Sequence, residues 1–114
     1  MHELSIAQSI IQIVEKSLPF GFSKKISLVH LSIGTLSGIE LDALTFAFSV
    51  IKKGTLLSGS EMEIEIIKGF ARCKNCNTDF ELNSYGNPCP GCESYSLNII
   101  RGKEMKVTNI IVDD

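Results

Sequence analysis

Four cysteines with two identical spacings dominate the chemistry that this 114-residue chain can offer: Cys73-Lys-Asn-Cys76, then twelve residues, then Cys89-Pro-Gly-Cys92. A Cys-x-x-Cys turn aims both sulfurs at one centre. Two such knuckles supply a tetrahedron of thiolates, the arrangement Zn²⁺ accepts in closed structural sites. Pro88, Pro90 and Gly91 shape the second knuckle, and Asn75 and Asn77 tolerate the turn conformations of the first. Two disulfides or four core thiols are the plainer readings. Disulfides need an oxidising compartment; no secretory signal is read at the N-terminus, and the expected location is the cytoplasm, where thiols stay reduced. A redox-active pair would sit in a thioredoxin-like context, and none is present. A four-thiolate metal site is therefore preferred. Zinc is favoured over iron, although rubredoxin-type iron uses similar knuckles. Four cysteines close the coordination shell, and no Ser-His-Asp, Cys-His or phosphate-loop pattern occurs, so an enzyme is not expected.

A second set of metal-capable groups opens the chain as Met1-His2-Glu3. A free α-amine, the following backbone amides and an imidazole at the second position offer nitrogen donors in a square plane, which suits Ni²⁺. The bulk of His2 should hinder removal of the initiator methionine and so keep the amine on Met1. On these residues alone the simpler reading prevails: His2 and Glu3 precede a helix, and Glu3 favours its dipole. His30, inside an apolar stretch, reads as a packed or surface residue rather than a ligand.

The elements that must position these groups follow from periodicity. Leu4, Ala7, Ile11, Val14 and Leu18 recur at helical spacing, widened by Ile10 and Ile13, and Pro19 and Gly21 end the helix. A strand is expected over residues 25–34, a loop over 34–38, and a second helix over 41–53, stopped by Lys52-Lys53-Gly54. Phe46 and Val50 are expected to broaden the apolar side of that helix. Met62, Ile64 and Ile66 alternate with glutamates as a strand; Phe80-Glu81-Leu82 reads as a short strand between the knuckles, and a last strand follows Gly102. The expected fold is α+β: a small mixed sheet of about three strands packed by two helices, with an inserted four-cysteine zinc-ribbon module. Residues 1–69 plus 100–114 form the α/β unit, which carries the N-terminal candidate nickel donors, and residues 70–99 the zinc module, whose two connections offer a hinge. A module of that size is too small for a core alone and needs its metal to fold. The net charge of −2 gives no footprint for nucleic acid or an anionic membrane, and Lys74 is the single basic residue of the knuckle segment 73–92. No apolar run reaches the length of a membrane span. A homodimer is compatible with the sequence.

Taken together, Met1-His2-Glu3-Leu4-Ser5, the Gly34-Thr35-Leu36-Ser37-Gly38-Ile39-Glu40 turn, the double knuckle and the element order resemble the HypA/HybF family, the nickel metallochaperones of [NiFe]-hydrogenase maturation. The resemblance covers essentially the whole chain. It implies a scaffold that carries transported Ni²⁺ at Met1, His2 and Glu3, with Glu40 as a nearby acidic group, and structural Zn²⁺ at Cys73, Cys76, Cys89 and Cys92. It also implies delivery to the hydrogenase large subunit with a partner GTPase and, in some organisms, service to urease maturation. With this pattern around it, the nickel reading of the N-terminus becomes the preferred one. One departure is that Asn77 and Glu93, not glycines, follow the knuckles, which is expected to alter their turn geometry more than the choice of metal. The alternative is a zinc-ribbon protein-interaction module without nickel transfer.

Overall fold

The computed structural model describes residues 3–113. In chain order its elements are α1 (Glu3–Ser17), β1 (Ile26–Gly34), α2 (Leu41–Ile51), β2 (Glu61–Ile67), β3 (Phe70–Cys73), β4 (Asp79–Glu81), β5 (Leu97–Arg101) and β6 (Met105–Val112). They fall into two compact units. One holds the chain up to Leu31, Ile39–Ile64 and the stretch from Lys106 on; the other holds Ser32–Gly38 and Glu65–Met105. The second unit thus contains all of residues 70–99 and extends past them on both sides.

In the first unit, α1 packs along α2. The buried stripe of α1 is Ala7, Ile10, Ile11 and Val14, one face of a 3.6-residue repeat. Leu4 and Ile13, expected on that stripe, are 51% and 45% exposed, because they fall at its two edges. On α2 the buried residues are Leu44, Ala47 and Phe48. Phe46 (71% exposed) and Val50 (49%) point away, so the apolar side of α2 is narrower than its composition suggests. The helix stops after Ile51, and Gly54 takes the left-handed conformation (φ 80°) that the stop signal calls for. The three-stranded sheet has the order β2-β1-β6. His30 meets Glu63 and Ser32 meets Glu65, so β1 and β2 advance in parallel, with α2 as the crossover. The N–H of Gly34 donates to Glu104 and that of Asp113 to Lys25, so β6 runs antiparallel to β1. This is a mixed sheet. His30 is bonded within it, its Nδ1 2.9 Å from the Thr108 hydroxyl.

The second unit is built on an antiparallel sheet of order β4-β3-β5, with Ala71 opposite Phe80 on one side and Ile99 on the other. The sequence reading marked neither β3 nor β5 as a strand. Its apolar core is small: Leu36, Ala71 and Leu82 are buried, with Phe80, Leu97 and Ile99 against them. Leu36 lies in the loop after β1 and is held by its N–H donating to the Gly102 carbonyl at 2.7 Å. Three glycines allow this crossing. A Cβ on Gly34 would stand 1.8 Å from the Gly102 carbonyl oxygen, and one on Gly69 2.4 Å from that of Leu82. Gly102 itself has φ 112° and lies against the Gly69 backbone.

Candidate metal centre

Both knuckles are closed by the same backbone bonds. The Cys73 carbonyl accepts from Asn77 N–H at 2.9 Å and the Cys73 N–H donates to the Thr78 carbonyl at 2.9 Å. In the second knuckle the Cys89 carbonyl accepts from Glu93 N–H at 2.8 Å, and the Cys89 N–H donates to the Ser94 carbonyl at 2.9 Å. The fifth residue of each must turn left-handed for the chain to return on itself: Asn77 has φ 61° and Glu93 φ 64°. The absence of glycine therefore leaves an L side chain in the left-handed region in each knuckle. Its consequence is local strain, slight for asparagine and larger for glutamate.

The four sulfurs converge. Cys73, Cys76, Cys89 and Cys92 place their Sγ atoms within 4.8 Å of one another, and among the described residues this is the one such group. The shortest approaches run between the knuckles, 3.5 Å for Cys73–Cys92 and 3.7 Å for Cys76–Cys89. No pair is near a disulfide bond length of about 2.05 Å, and all four thiols are free. A tetrahedron of metal–sulfur bonds of about 2.3 Å has edges of about 3.8 Å, so a metal ion fits these donors with little movement. Cys73 and Cys89 are buried, whereas Cys76 and Cys92 are exposed. The thiol of Cys76 is pulled down from 9.0 to about 6, chiefly by the Thr78 hydroxyl and then by the Thr78 backbone N–H, both of which stabilise the thiolate. Metals bind thiolates, so Cys76 is ready as a ligand at neutral pH. Asn75 Nδ2 donates to Cys92 Sγ at 3.5 Å, and the Gly91 N–H to Cys89 Sγ at 3.4 Å. Sequence reasoning took Asn75 only as a turn former and passed over Thr78; a polar side chain flanking a knuckle cysteine was the signal available. Outside the sulfurs, Arg72 grips Asp79 with two bonds of 2.7 and 3.0 Å, which holds the Asp79 carboxyl below its ordinary value.

The other candidate residues lie at the N-terminal ends of the helices. Glu3 Oε2 accepts from the backbone N–H of Glu40 at 3.0 Å, and Glu40 Oε1 caps α2 by accepting from Asp42 N–H at 3.1 Å. Glu3 and Glu40 are therefore neighbours although 37 positions apart. Met1 and His2 lie outside the described residues. Comparison with known proteins bears on both sites. Residues 1–112 match the family characterised as "Hydrogenase/urease nickel incorporation, metallochaperone, hypA". The chain belongs to the HypA family. Hydrogenase maturation factor HypA of Cupriavidus necator is 40% identical over all of this chain and 96% of its own length, and that of Geobacter metallireducens is 37% identical over 99% and 100%. The solution structure of the Ni metallochaperone HypA from Helicobacter pylori superposes with a TM-score of 0.71 at 26% identity, covering 98% of this chain and 97% of that one. Among the described residues no helix is long and apolar enough to cross a membrane.

Proposed function

We propose that this chain is a cytoplasmic nickel carrier rather than an enzyme, taking up Ni²⁺ at its N-terminus and delivering it to a hydrogenase large subunit. The observation that carries the reading is the match of residues 1–112 to the nickel-incorporation metallochaperone family, beside which the Glu3 carboxylate, held by the Glu40 backbone N–H, stands at the start of α1 and directly follows Met1 and His2 in sequence. The Met1 amine, neighbouring amides and the His2 imidazole would supply the nitrogen donors, with the Glu3 carboxylate beside them. Cys73, Cys76, Cys89 and Cys92 would hold one Zn²⁺, which closes the second unit and takes no part in transfer. With no nucleotide-binding motif of its own, the chain would depend for directed transfer on a partner GTPase of hydrogenase maturation and, where urease is made, on the urease maturation proteins.

Nickel titration of three proteins tests this reading: the native chain, His2→Ala, and a chain extended ahead of Met1 so that the amine becomes an amide. Tight nickel binding is expected in the native chain alone, with zinc content and folding equal in all three. Equal nickel affinity throughout would place the metal elsewhere and overturn the proposal.

A further inference from the structure

The four sulfurs differ in what holds them. Buried Cys89 accepts from a backbone N–H, that of Gly91. Each of the exposed pair has a side-chain donor, Cys76 in addition to the Thr78 backbone N–H. The Thr78 hydroxyl lies 3.2 Å from Cys76 Sγ and donates to it once the thiol has ionised, and the Asn75 amide donates to Cys92. Neither side chain is needed to close its knuckle, since the backbone bonds already do so. Both are exposed, so packing does not explain their placement. The Asn75 bond also crosses from the first knuckle to the second. Thr78 Oγ1 reaches toward the second knuckle as well, 4.0 Å from where a Cβ on Gly91 would stand.

A closed tetrahedral site gives up its ion by losing ligands one at a time, and a competing ligand must enter where sulfur meets solvent. That is the side of Cys76 and Cys92. A donor aimed at each of these sulfurs keeps it oriented toward the centre and raises the barrier to its departure. We propose that Thr78 and Asn75 are the positioning residues of this centre, each pinning one exposed sulfur and together setting how slowly the metal passes to a competing ligand. The inference rests on the reading that the four cysteines hold a metal.

Two measurements test it, each on the full chain. The first is the rate at which a chromophoric chelator extracts Zn²⁺; the second is the sulfur-to-cobalt charge-transfer spectrum of the Co²⁺-loaded protein. Thr78→Val keeps the shape and the backbone N–H but removes the hydroxyl. Extraction is expected to be roughly tenfold faster, with charge-transfer bands moved to lower energy because the Cys76 thiolate has lost a donor. Thr78→Ser restores the hydroxyl and should return both readouts to native values, which a merely structural role for the side chain would not explain. Asn75→Ala should accelerate extraction comparably, and the double variant more than either. If Thr78→Val does not fold, Asn75→Ala carries the test alone. Extraction within twofold of native in these variants, with unmoved bands and one metal per chain, overturns the proposal and leaves the metal reading standing. A native chain that retains no metal overturns both.

Discussion

At the scale of the residue, the two knuckles offer a controlled comparison, because one backbone conformation is imposed on two side chains. Asn77 and Glu93 occupy the same left-handed position with nearly equal φ. Asparagine tolerates that region well, whereas glutamate is held there at a cost of about 1–2 kcal/mol. Glycine removes the cost but adds freedom to the unfolded chain, returning part of the gain. Glu93→Gly is therefore expected to stabilise the metal-loaded second unit by about 1 kcal/mol, and Asn77→Gly to change it by less than about 0.5 kcal/mol. Because metal binding and folding are one event in a module this small, the effect should read out as a roughly fivefold gain in apparent zinc affinity for Glu93→Gly in a chelator competition. Equal gains for both variants would show that the strain is shared and the side-chain argument mistaken.

At the scale of the element, the long periodic segments were legible and the short ones were not. The spacing of Ala7, Ile11 and Val14 gives α1, and the stop signal of α2 appears where the sequence puts it, because helices repeat their signal over several turns. β3 is four residues long and ends on a metal ligand, and β5 has no clean alternation, so neither repeats anything long enough to read. Glu40 as the cap of α2 was equally hidden, since glutamate is not a favoured capping residue and its placement depends on Glu3 from another helix. The knuckles, by contrast, were fully legible, because spacing alone fixes their chemistry. The glycine crossing in the second unit belongs to the hidden class and makes a sharp prediction. In Gly34→Ala the new Cβ would stand 1.8 Å from the Gly102 carbonyl oxygen, so two backbones must move apart, which no rotamer change relieves. A loss of more than about 3 kcal/mol is expected, or a fall of roughly 10 °C or more in the thermal midpoint. Gly59→Ala, with nothing within 4 Å of its Cβ and no positive φ, serves as the control and should be neutral or slightly stabilising. Similar midpoints for the two variants would mean that the crossing is looser than its distances imply.

At the scale of the whole molecule, the two units differ in what holds them. The first buries stripes from two helices and a strand, whereas the second buries Ile33, Leu36, Ala71 and Leu82 together with Cys73 and Cys89. Burial that slight does not offset the entropy of ordering nearly fifty residues, so a metal on the thiolates is expected to supply the difference, on the order of 10 kcal/mol. Chelation should strip hydrogen-exchange protection from β3, β4 and β5 while the amides of Ala7–Val14 keep theirs. Protection unchanged in both units would show that the apolar core suffices alone. The same division separates the two metals by pH. Nickel at Met1 and His2 competes with protons at an amine and an imidazole whose ordinary pKa values are about 7.7–8.0 and 6.5, and any coordinating amide must lose its proton too. Nickel affinity should therefore climb with pH through neutrality and fall by at least about tenfold per pH unit below 6.5. The cysteine site responds later. Cys76 is lowered to about 6, so the thiolate form is favoured above that value and is given up only as the pH falls through it. The buried sulfurs are shielded besides, and four metal–sulfur bonds resist protons together. Protein loaded with both metals and dialysed at pH 7.5, 6.5 and 5.5 should lose nickel first, keeping one zinc per chain when most of the nickel has gone. Simultaneous loss of the two metals would mean that they share ligands, and that the carrier site and the cysteine site are not separate.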